Sequence, residues 1–571
     1  MKRRSFLCHL GATASSLPFL PYPALTLAHP PYEEIALLLK AFSNGNDVSI
    51  KSLLERQEKD TKHPEYGGIV NGYGIHNPQN TSSFLQRLSG GLVSEYSEFY
   101  QDESLLEPML RASEYLLQAQ HPDGTIDLHT TNFHSTPDLA FSVEPASLAY
   151  TLLHTYVPSS TQAIQDNLQT YLESAGQALS IGGIHTPNHR WVVCMALARV
   201  HHLFPDPAYE ARINEWLREK IDIDEDGQYT EQSTLVYSPI VNRSLITIAR
   251  LANKPELLDP VRRNLEMSLY YIHANGEGVT EGSGRQDKYQ KGTLHRYYYS
   301  YRYLALHDRN PRFAAMAQFL ENQDINLLNY NLAYLLEDTD LKSPLPSASS
   351  LPTNYTKIFT GSDLVRIRRG ERDATILAKN PVFFTFFNGE AALEGIRLAS
   401  AFFGKGQFEG ESLEQDGDKF VVRQWLEGPY YQPFAKEELK TTDGDWEKLP
   451  RDERPQSEIQ KLLTEVRIRE TEKGFQIDVS VLGTDRVPVA LELAFRSGGT
   501  LEKAQPVENI PEAYLLTEGF GTFQSGKQKI RFGPGRAEHQ WTQLRGALDK
   551  LDAQSVYLTG FTPFEHQLTI E

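Results

Sequence analysis

The chain has 571 residues, more than one hydrophobic core organises, so two or three domains are expected. Apolar residues make up 40% and aromatics 11%, with 28 Tyr and 27 Phe; tyrosine-rich surfaces suit carbohydrate, because the ring covers sugar C–H groups while the hydroxyl meets their oxygens, though Tyr also fills seams between helices. The formal net charge of −18 argues against nucleic acid, which requires a basic footprint, and obliges any acidic ligand to find a local basic patch.

The first element is Lys2-Arg3-Arg4-Ser5-Phe6-Leu7, which carries the twin-arginine pattern. A weakly apolar stretch follows, with small residues at Ala24 and Ala28 for cleavage, so residues 1–28 are read as an export signal and the protein as periplasmic or secreted. Cys8 would leave with that signal, and Cys194 alone cannot form an intrachain disulfide. Cys194 lies in an apolar helical run and reads as a packed thiol. No other stretch is long and apolar enough to span a membrane.

Apolar residues then recur at three- and four-residue spacing in 34–43, 84–100, 103–120, 139–157, 161–180, 189–204, 207–220, 233–253, 256–273, 290–307 and 311–335. Pro122-Asp123-Gly124, Gly182-Gly183, Pro205-Asp206-Pro207 and Lys254-Pro255 punctuate them. Helices joined by such short turns pack antiparallel, and an array of hairpins either runs on or closes into a ring. Residues 29–342 are therefore read as a helical domain. The Pro/Ser stretch within 343–356 reads as a linker. Beyond it, Phe475-Gln476-Ile477-Asp478-Val479-Ser480-Val481, Glu465-Val466-Arg467-Ile468-Arg469 and similar runs alternate with period two. Residues 357–571 are expected to form an antiparallel β-sandwich.

Chemistry-bearing residues gather at predicted helix starts. Thr186-Pro187 is a natural helix beginning, which puts Asn188 and His189 in a first turn, where the helix dipole favours an anion. Read as plain structure, they are a cap and a surface histidine. Asp226-Gly227 and Gln228–Ser233 lead into the apolar run that begins near Tyr237, itself equally readable as a seam aromatic. Asp222–Gly227 looks like half a calcium loop, but Ser233 stands where a closing Glu is needed, and an acidic turn is the better reading. Between 281 and 302 stand Arg285, Lys288, Lys291, Arg296 and Arg302 against Glu281 and Asp287, the local basic patch that the net charge demands. A glycine-flanked Arg285 can present its fork to a carboxylate or sulfate. His134 and Asp138 precede another helix, with Asp123 and Asp127 in the turn before it.

In these residues the chain resembles the heparinase II/III-like polysaccharide lyases. The resemblance rests on Asn188-His189, on Asp226-Gly227, Glu231, Ser233 and Tyr237 about fifty residues later, and on the run around His134 and Asp138. It covers most of the chain and implies an incomplete (α/α) toroid followed by an antiparallel β-sandwich, acting on a uronic-acid polysaccharide. It also implies β-elimination. Asn188 and Arg285 would neutralise the uronate carboxylate, His189 or Tyr237 would take the C5 proton, and Tyr237 would donate to the leaving O4. Substrate contacts are expected from His134, Asp138, Trp191 and Tyr229, and from Glu231, Lys288 and His295. Family members often add a catalytic or zinc-binding histidine from the β-domain, but between 308 and 571 this chain has only His539 and His566. No metal or cofactor is therefore expected, and the expected partner is an acidic glycan. Two other readings stand beside this one. A toroid glycoside hydrolase would need paired carboxylates, for which Asp123, Asp138, Glu144 and Glu231 could serve. A glycan-binding protein of the same fold would leave its ligand unchanged.

Overall fold

The computed structural model describes residues 31–571. The export-signal reading, with Cys8, Ala24 and Ala28, lies outside the described residues. The described chain divides into two compact units, one made of the residues up to Tyr271 together with Gly278–Leu351, the other of Ile272–Glu277 and Pro352–Glu571.

The first unit is helical. Its helices are α1 (Pro31–Glu55), α2 (Pro78–Val93), α3 (Leu106–Ala119), α4 (Thr136–Tyr156), α5 (Gln162–Ile181) and α6 (Pro187–Leu203), followed by α7 (Pro207–Leu217), α8 (Tyr237–Leu251), α9 (Leu258–Ser268), α10 (Tyr298–His307), α11 (Pro311–Asp324) and α12 (Leu332–Glu337). Every second helix is a neighbour: α2 packs on α4, α4 on α6 and α6 on α8, while α3 packs on α5 and α5 on α7. This alternation makes two concentric layers, the helical arc expected of an α/α toroid. Burial follows it. From Trp191 to Val200 every residue of α6 is buried, whereas α3 buries one stripe. Because outer helices return the chain, α4, α6 and α8 all begin at the same end of the inner layer.

Local chemistry sets those beginnings. Proline stands in the first turn of α2, α4, α6, α7 and α11, where its missing N–H costs nothing. Ser135 caps α4 by accepting the Asp138 amide, and Asn77 caps α2 through the amides of Gln79 and Asn80. The turn between α5 and α6 is pinned by Thr136, whose hydroxyl donates to the Gly183 carbonyl at 2.6 Å. A side chain at Gly182 would meet Thr136 Cγ2 at 2.2 Å, so only glycine permits this approach.

Three expected helical runs are shorter than their periodicity suggested. The run 84–100 stops at Val93, because buried Asp47 of α1 takes the Ser97 hydroxyl at 2.6 Å and the Glu98 amide at 2.9 Å, and so holds that stretch as turns. The run 290–307 is helical only from Tyr298, preceded by a single 3-10 turn at His295–Tyr297. In 311–335, Asp324 accepts the Asn326 amide and starts the 3-10 segment Ile325–Asn331 between α11 and α12. Cys194 is buried in α6, and burial pushes its thiol far above the usual range.

The second unit is two stacked sheets. A nine-stranded sheet runs from Asn354–Phe359 through Leu364–Arg369, Arg372–Leu377, Phe384–Asn388, Ala391–Ser400, Pro488–Phe495, Gln554–Phe561 and Ala513–Leu515 to Gln505–Pro506. An eight-stranded sheet faces it, with Lys419–Tyr431, Gln456–Glu470, Phe475–Gly483 and Phe564–Ile570 among its inner strands. All pairings are antiparallel except Ala513–Leu515 beside Gln554–Phe561. Alternate residues Ile477, Val479 and Val481 point inward and meet a core that includes Phe384, Phe386, Phe495 and Phe523. Ile272–Glu277 belongs to this unit through ionic contacts. Asp373, wholly buried, accepts from Arg366 and from His273 Nδ1, each at 2.8 Å, and from the Ala274 amide at 2.6 Å. Burial opposes its charge, but Arg366 and His273 outweigh burial and hold the carboxyl far below its usual range. His273 also stacks on Phe387 with ring centres 3.8 Å apart.

Candidate active site

The beginnings of α4, α6 and α8 and the loop 278–294 supply the candidate residues. Asn188 is 1% exposed in the first turn of α6. Its Nδ2 donates to both carboxylate oxygens of Glu231, at 2.8 and 3.0 Å, and to Thr186 Oγ1 at 3.1 Å. Its backbone amide adds a longer contact of 3.4 Å to Glu231 Oε1. The carboxylate therefore fixes which way the amide faces: Nδ2 is consumed, and Oδ1 is buried without a protein partner.

His189 follows, with its ring edge-on to Phe141 at 6.1 Å and to His185 at 4.8 Å. Its Nδ1 is buried without a partner. Burial is the main cause that lowers this imidazole to about 4, with His185 and Arg285 adding to the effect and Asp138 opposing it. At neutral pH the ring is uncharged and carries a free lone pair.

Tyr237 is the first residue of α8, and its amide donates to Ser233 Oγ at 3.1 Å. Gln286 Nε2 donates to its phenolic oxygen at 2.8 Å. That contact uses the oxygen as acceptor and leaves the O–H hydrogen for another partner. The Arg285 guanidinium lies 5.1 Å from the centre of the same ring. One buried carboxylate holds this loop in place: Asp287 accepts Ser233 Oγ at 3.0 Å, the Leu235 amide at 2.8 Å and Ser283 Oγ at 3.2 Å. The Gly284 amide donates to the Gln232 carbonyl at 3.0 Å, so the loop carrying Arg285 and Gln286 is clamped against the chain that carries Glu231 and Tyr237. Asn188, His189, Tyr237 and Arg285 thus share one neighbourhood, bridged by Glu231, Asp287 and Gln286. The last three roles escaped the sequence reading: Gln286 and Asp287 were seen only as members of a polar loop, and Glu231 as a substrate contact.

Some expected substrate contacts lie elsewhere. Trp191 is fully buried, with Nε1 donating to Asp222 at 2.8 Å, because the inner layer encloses α6 on every side. Tyr229 is 2% exposed, and its hydroxyl donates to Asn242 Oδ1 at 2.8 Å in a buried chain that continues to Asn264. Glu231 is buried against Asn188, 7% exposed. These three are interior residues in this structure, as Asn188 and Asp138 are. Asp222, first of the acidic turn, also binds Arg190 at 2.8 Å. His134 is exposed on the hairpin of β1 (Ile126–Leu128) and β2 (Asn132–Ser135). Its Nδ1 lies 2.7 Å from Asp123, and its ring stacks on His121 at 3.9 Å. Asp138, in the first turn of α4, accepts from Ser135 at 2.6 Å, Asn132 at 2.7 Å and Gln79 at 3.1 Å. Lys288 is half-buried, 5.4 Å from the Tyr289 ring, and His295 is half-buried beside Thr293.

The four carboxylates named for a hydrolase, Asp123, Asp138, Glu144 and Glu231, all have protein partners. Glu144 is gripped by Arg243 at 2.8 and 2.9 Å and by the Tyr334 hydroxyl at 2.7 Å. Burial, the largest single influence, works against its charge, but Arg243, Arg199 and the Tyr334 hydroxyl together keep it below the usual carboxylate range, the wrong direction for a general acid. Asp123, held by Thr125 and His134, is lowered as well.

No protein-family model and no curated protein matches the sequence. Solved structures do match the fold. A Paenibacillus xanthan lyase superimposes with a TM-score of 0.55 at 10% identity over 95% of this chain, and the chain spans 60% of that protein's length. Heparinase III gives 0.51 at 11% identity, covering 96% of this chain and 90% of its own. The chondroitin AC lyase of Streptomyces coelicolor gives 0.52 at 12%, covering 95% and 80%. The fold is that of the heparinase-like polysaccharide lyases. Among the described residues, no helix of this lyase fold is long and apolar enough to cross a membrane.

Proposed function

We propose that the protein is a polysaccharide lyase that cleaves a uronic-acid-containing polysaccharide by β-elimination, leaving a C4–C5 unsaturated uronate end. The observation that carries this reading is the phenol of Tyr237. It accepts from Gln286 at 2.8 Å, lies under Arg285 at 5.1 Å, and keeps its own hydrogen to give.

The chemistry divides among these residues. The C5 proton of a uronate becomes acidic only when the neighbouring carboxylate is neutralised. Arg285 supplies positive charge for this. Asn188, its Nδ2 consumed by Glu231, offers a carboxylate no donor in this arrangement; its Oδ1 is left to accept from a sugar hydroxyl, and the charge falls to Arg285. His189, uncharged at neutral pH, takes the C5 proton when the departing oxygen lies on the opposite face. When both lie on one face, Tyr237 acts only after losing its own hydrogen: the phenolate takes the C5 proton and passes it to O4 as the C4–O4 bond breaks. When His189 is the base, the Tyr237 O–H protonates O4 directly. His134, Asp138, Lys288 and His295 are proposed to contact the glycan. Lys2-Arg3-Arg4 supports export of the enzyme to such a substrate.

The test is a panel of uronate polymers, including heparan sulfate, chondroitin, hyaluronate and alginate, followed by the absorbance of the conjugated alkene. At least one polymer should yield that absorbance, and Tyr237→Phe should abolish it while polymer binding persists. New reducing ends without absorbance would identify a hydrolase. Normal turnover by Tyr237→Phe would remove Tyr237 as proton donor.

A further inference from the structure

A second group of ligating side chains lies in the loop between α1 and α2. Glu58, His63 and His76 each place a donor atom within 4.8 Å of the other two. Glu58 Oε2 lies 3.7 Å from His76 Nε2 and 4.0 Å from His63 Nδ1, too far for a hydrogen bond to either ring. The two imidazoles face each other with centres 5.1 Å apart and planes tilted by 50°. Tetrahedral bonds of about 2.0–2.1 Å set neighbouring donors roughly 3.4 Å apart; Glu58 and His76 stand a few tenths of an ångström from that spacing, and His63, with all three donors within 4.8 Å of one another, closes further on an ion.

The loop holds the three residues from the backbone. Glu58 exchanges amide and carbonyl bonds with Gly67 and Gly68 at 3.0 and 2.9 Å, and His76 forms a β-bridge with Val70. Buried Gln57 donates to the carbonyls of Gly67 and Pro108 at 3.1 and 2.9 Å. Gly67 has φ +89°, and a side chain there would meet the Arg111 carbonyl at 2.2 Å, so the turn has one conformation. The two Glu58 oxygens have different duties. Oε1 accepts the Asp60 amide at 2.9 Å, which orients the carboxylate, and Oε2 is turned toward the histidines. The Glu65 amide donates to His63 Nδ1 at 3.0 Å and so keeps a lone pair on that nitrogen, which a cation need only take from one N–H.

We infer that Glu58, His63 and His76 form a binding site for a divalent transition-metal ion of the zinc class, with one coordination position left to water. One carboxylate and two imidazoles are a donor set for zinc and its neighbours, not for calcium, which takes oxygen. His76 directly precedes Asn77, the cap of α2, and Gln79 in its first turn donates to Asp138. A cation across Glu58 and His76 therefore braces the beginning of α2.

The experiment titrates zinc chloride into the chelator-stripped whole chain by calorimetry, and follows thermal unfolding with and without zinc. The wild-type chain should bind one equivalent and unfold at a higher temperature with zinc. Glu58→Gln and His76→Ala should each weaken binding about tenfold or more, since loss of an outer-shell partner alone costs that much. Both variants should keep the wild-type circular dichroism and lose the thermal shift. His121→Ala, at the stacked pair His121–His134, should bind as the wild type does. The site is overturned if the wild-type chain shows no saturable binding, if Glu58→Gln and His76→Ala bind zinc unchanged, or if His121→Ala is the variant that loses it. None of these outcomes depends on lyase activity.

Discussion

Replacing Glu231 by Gln tests the geometry on which the proposed chemistry depends. In the wild type both oxygens of Glu231 receive Asn188 Nδ2, at 2.8 and 3.0 Å, inside a site where Asn188 is 1% exposed. Glutamine has the same shape but offers one acceptor and two donors. Either Nδ2 loses a partner, or the Asn188 amide turns over and presents Nδ2 where Oδ1 stood. A buried donor that loses its acceptor costs about 1–3 kcal/mol. If that cost is felt where Oδ1 accepts from the bound glycan, kcat/KM falls about 5- to 160-fold, at about 1.4 kcal/mol per tenfold. The assay is the initial rate of alkene absorbance on whichever polymer the panel identifies, measured well below the unfolding temperature, with circular dichroism to establish the fold. A purely structural Glu231 would lower the unfolding temperature and leave kcat alone. A folded variant with wild-type kcat/KM refutes the reasoning.

Two further outcomes follow from buried charge. His189 and His295 are lowered by burial from an ordinary 6.5 to about 4, so the unfolded chain takes up protons that the folded chain refuses. Stability is then unaffected above pH 6.5 and declines as pH falls toward 4, a trend that unfolding temperatures across that window will show. If His189 is the base, the acid limb of kcat/KM should also stand near pH 4, and a limb near 6.5 would exclude the buried ring. Asp373→Ala leaves Arg366 buried without its partner, and should cost about 3–5 kcal/mol in a urea-unfolding transition; a cost below about 1 kcal/mol would mean that the Ile272 carbonyl and Thr375 already satisfy the guanidinium.

The architecture was legible because its signals are local. Period-two runs such as Phe475–Gly483 alternate because one face of each sheet is dry, and proline with a capping Ser, Asn or Asp marks where α2, α4 and α7 begin. The site was legible only in part. Asn188, His189, Tyr237 and Arg285 could be singled out as polar groups at helix starts and in a basic loop. What each of them touches depends on pairings 43 to 54 residues apart, such as Asn188 with Glu231 and Ser233 with Asp287. Trp191 was misplaced for a related reason. A helix apolar on nearly every side has no wet face from which to read orientation, and only the neighbouring Asp222 shows that the indole is enclosed. Gln286 carries no sequence signal at all; an acid flanked by Arg285 and Lys288, Asp287, was the available hint that the segment is anchored rather than solvated.

Cys194, sealed inside α6, has a practical consequence. In a chain expressed without residues 1–28 it is the only cysteine, and its raised thiol is a poor nucleophile toward alkylating reagents. A cysteine introduced at exposed Tyr289 or Gln290 would then be the one reactive handle in the molecule. A fluorophore placed there sits on the segment that carries Arg285 and Gln286, and would report how that segment responds as successive sugars arrive, with no background from the native thiol.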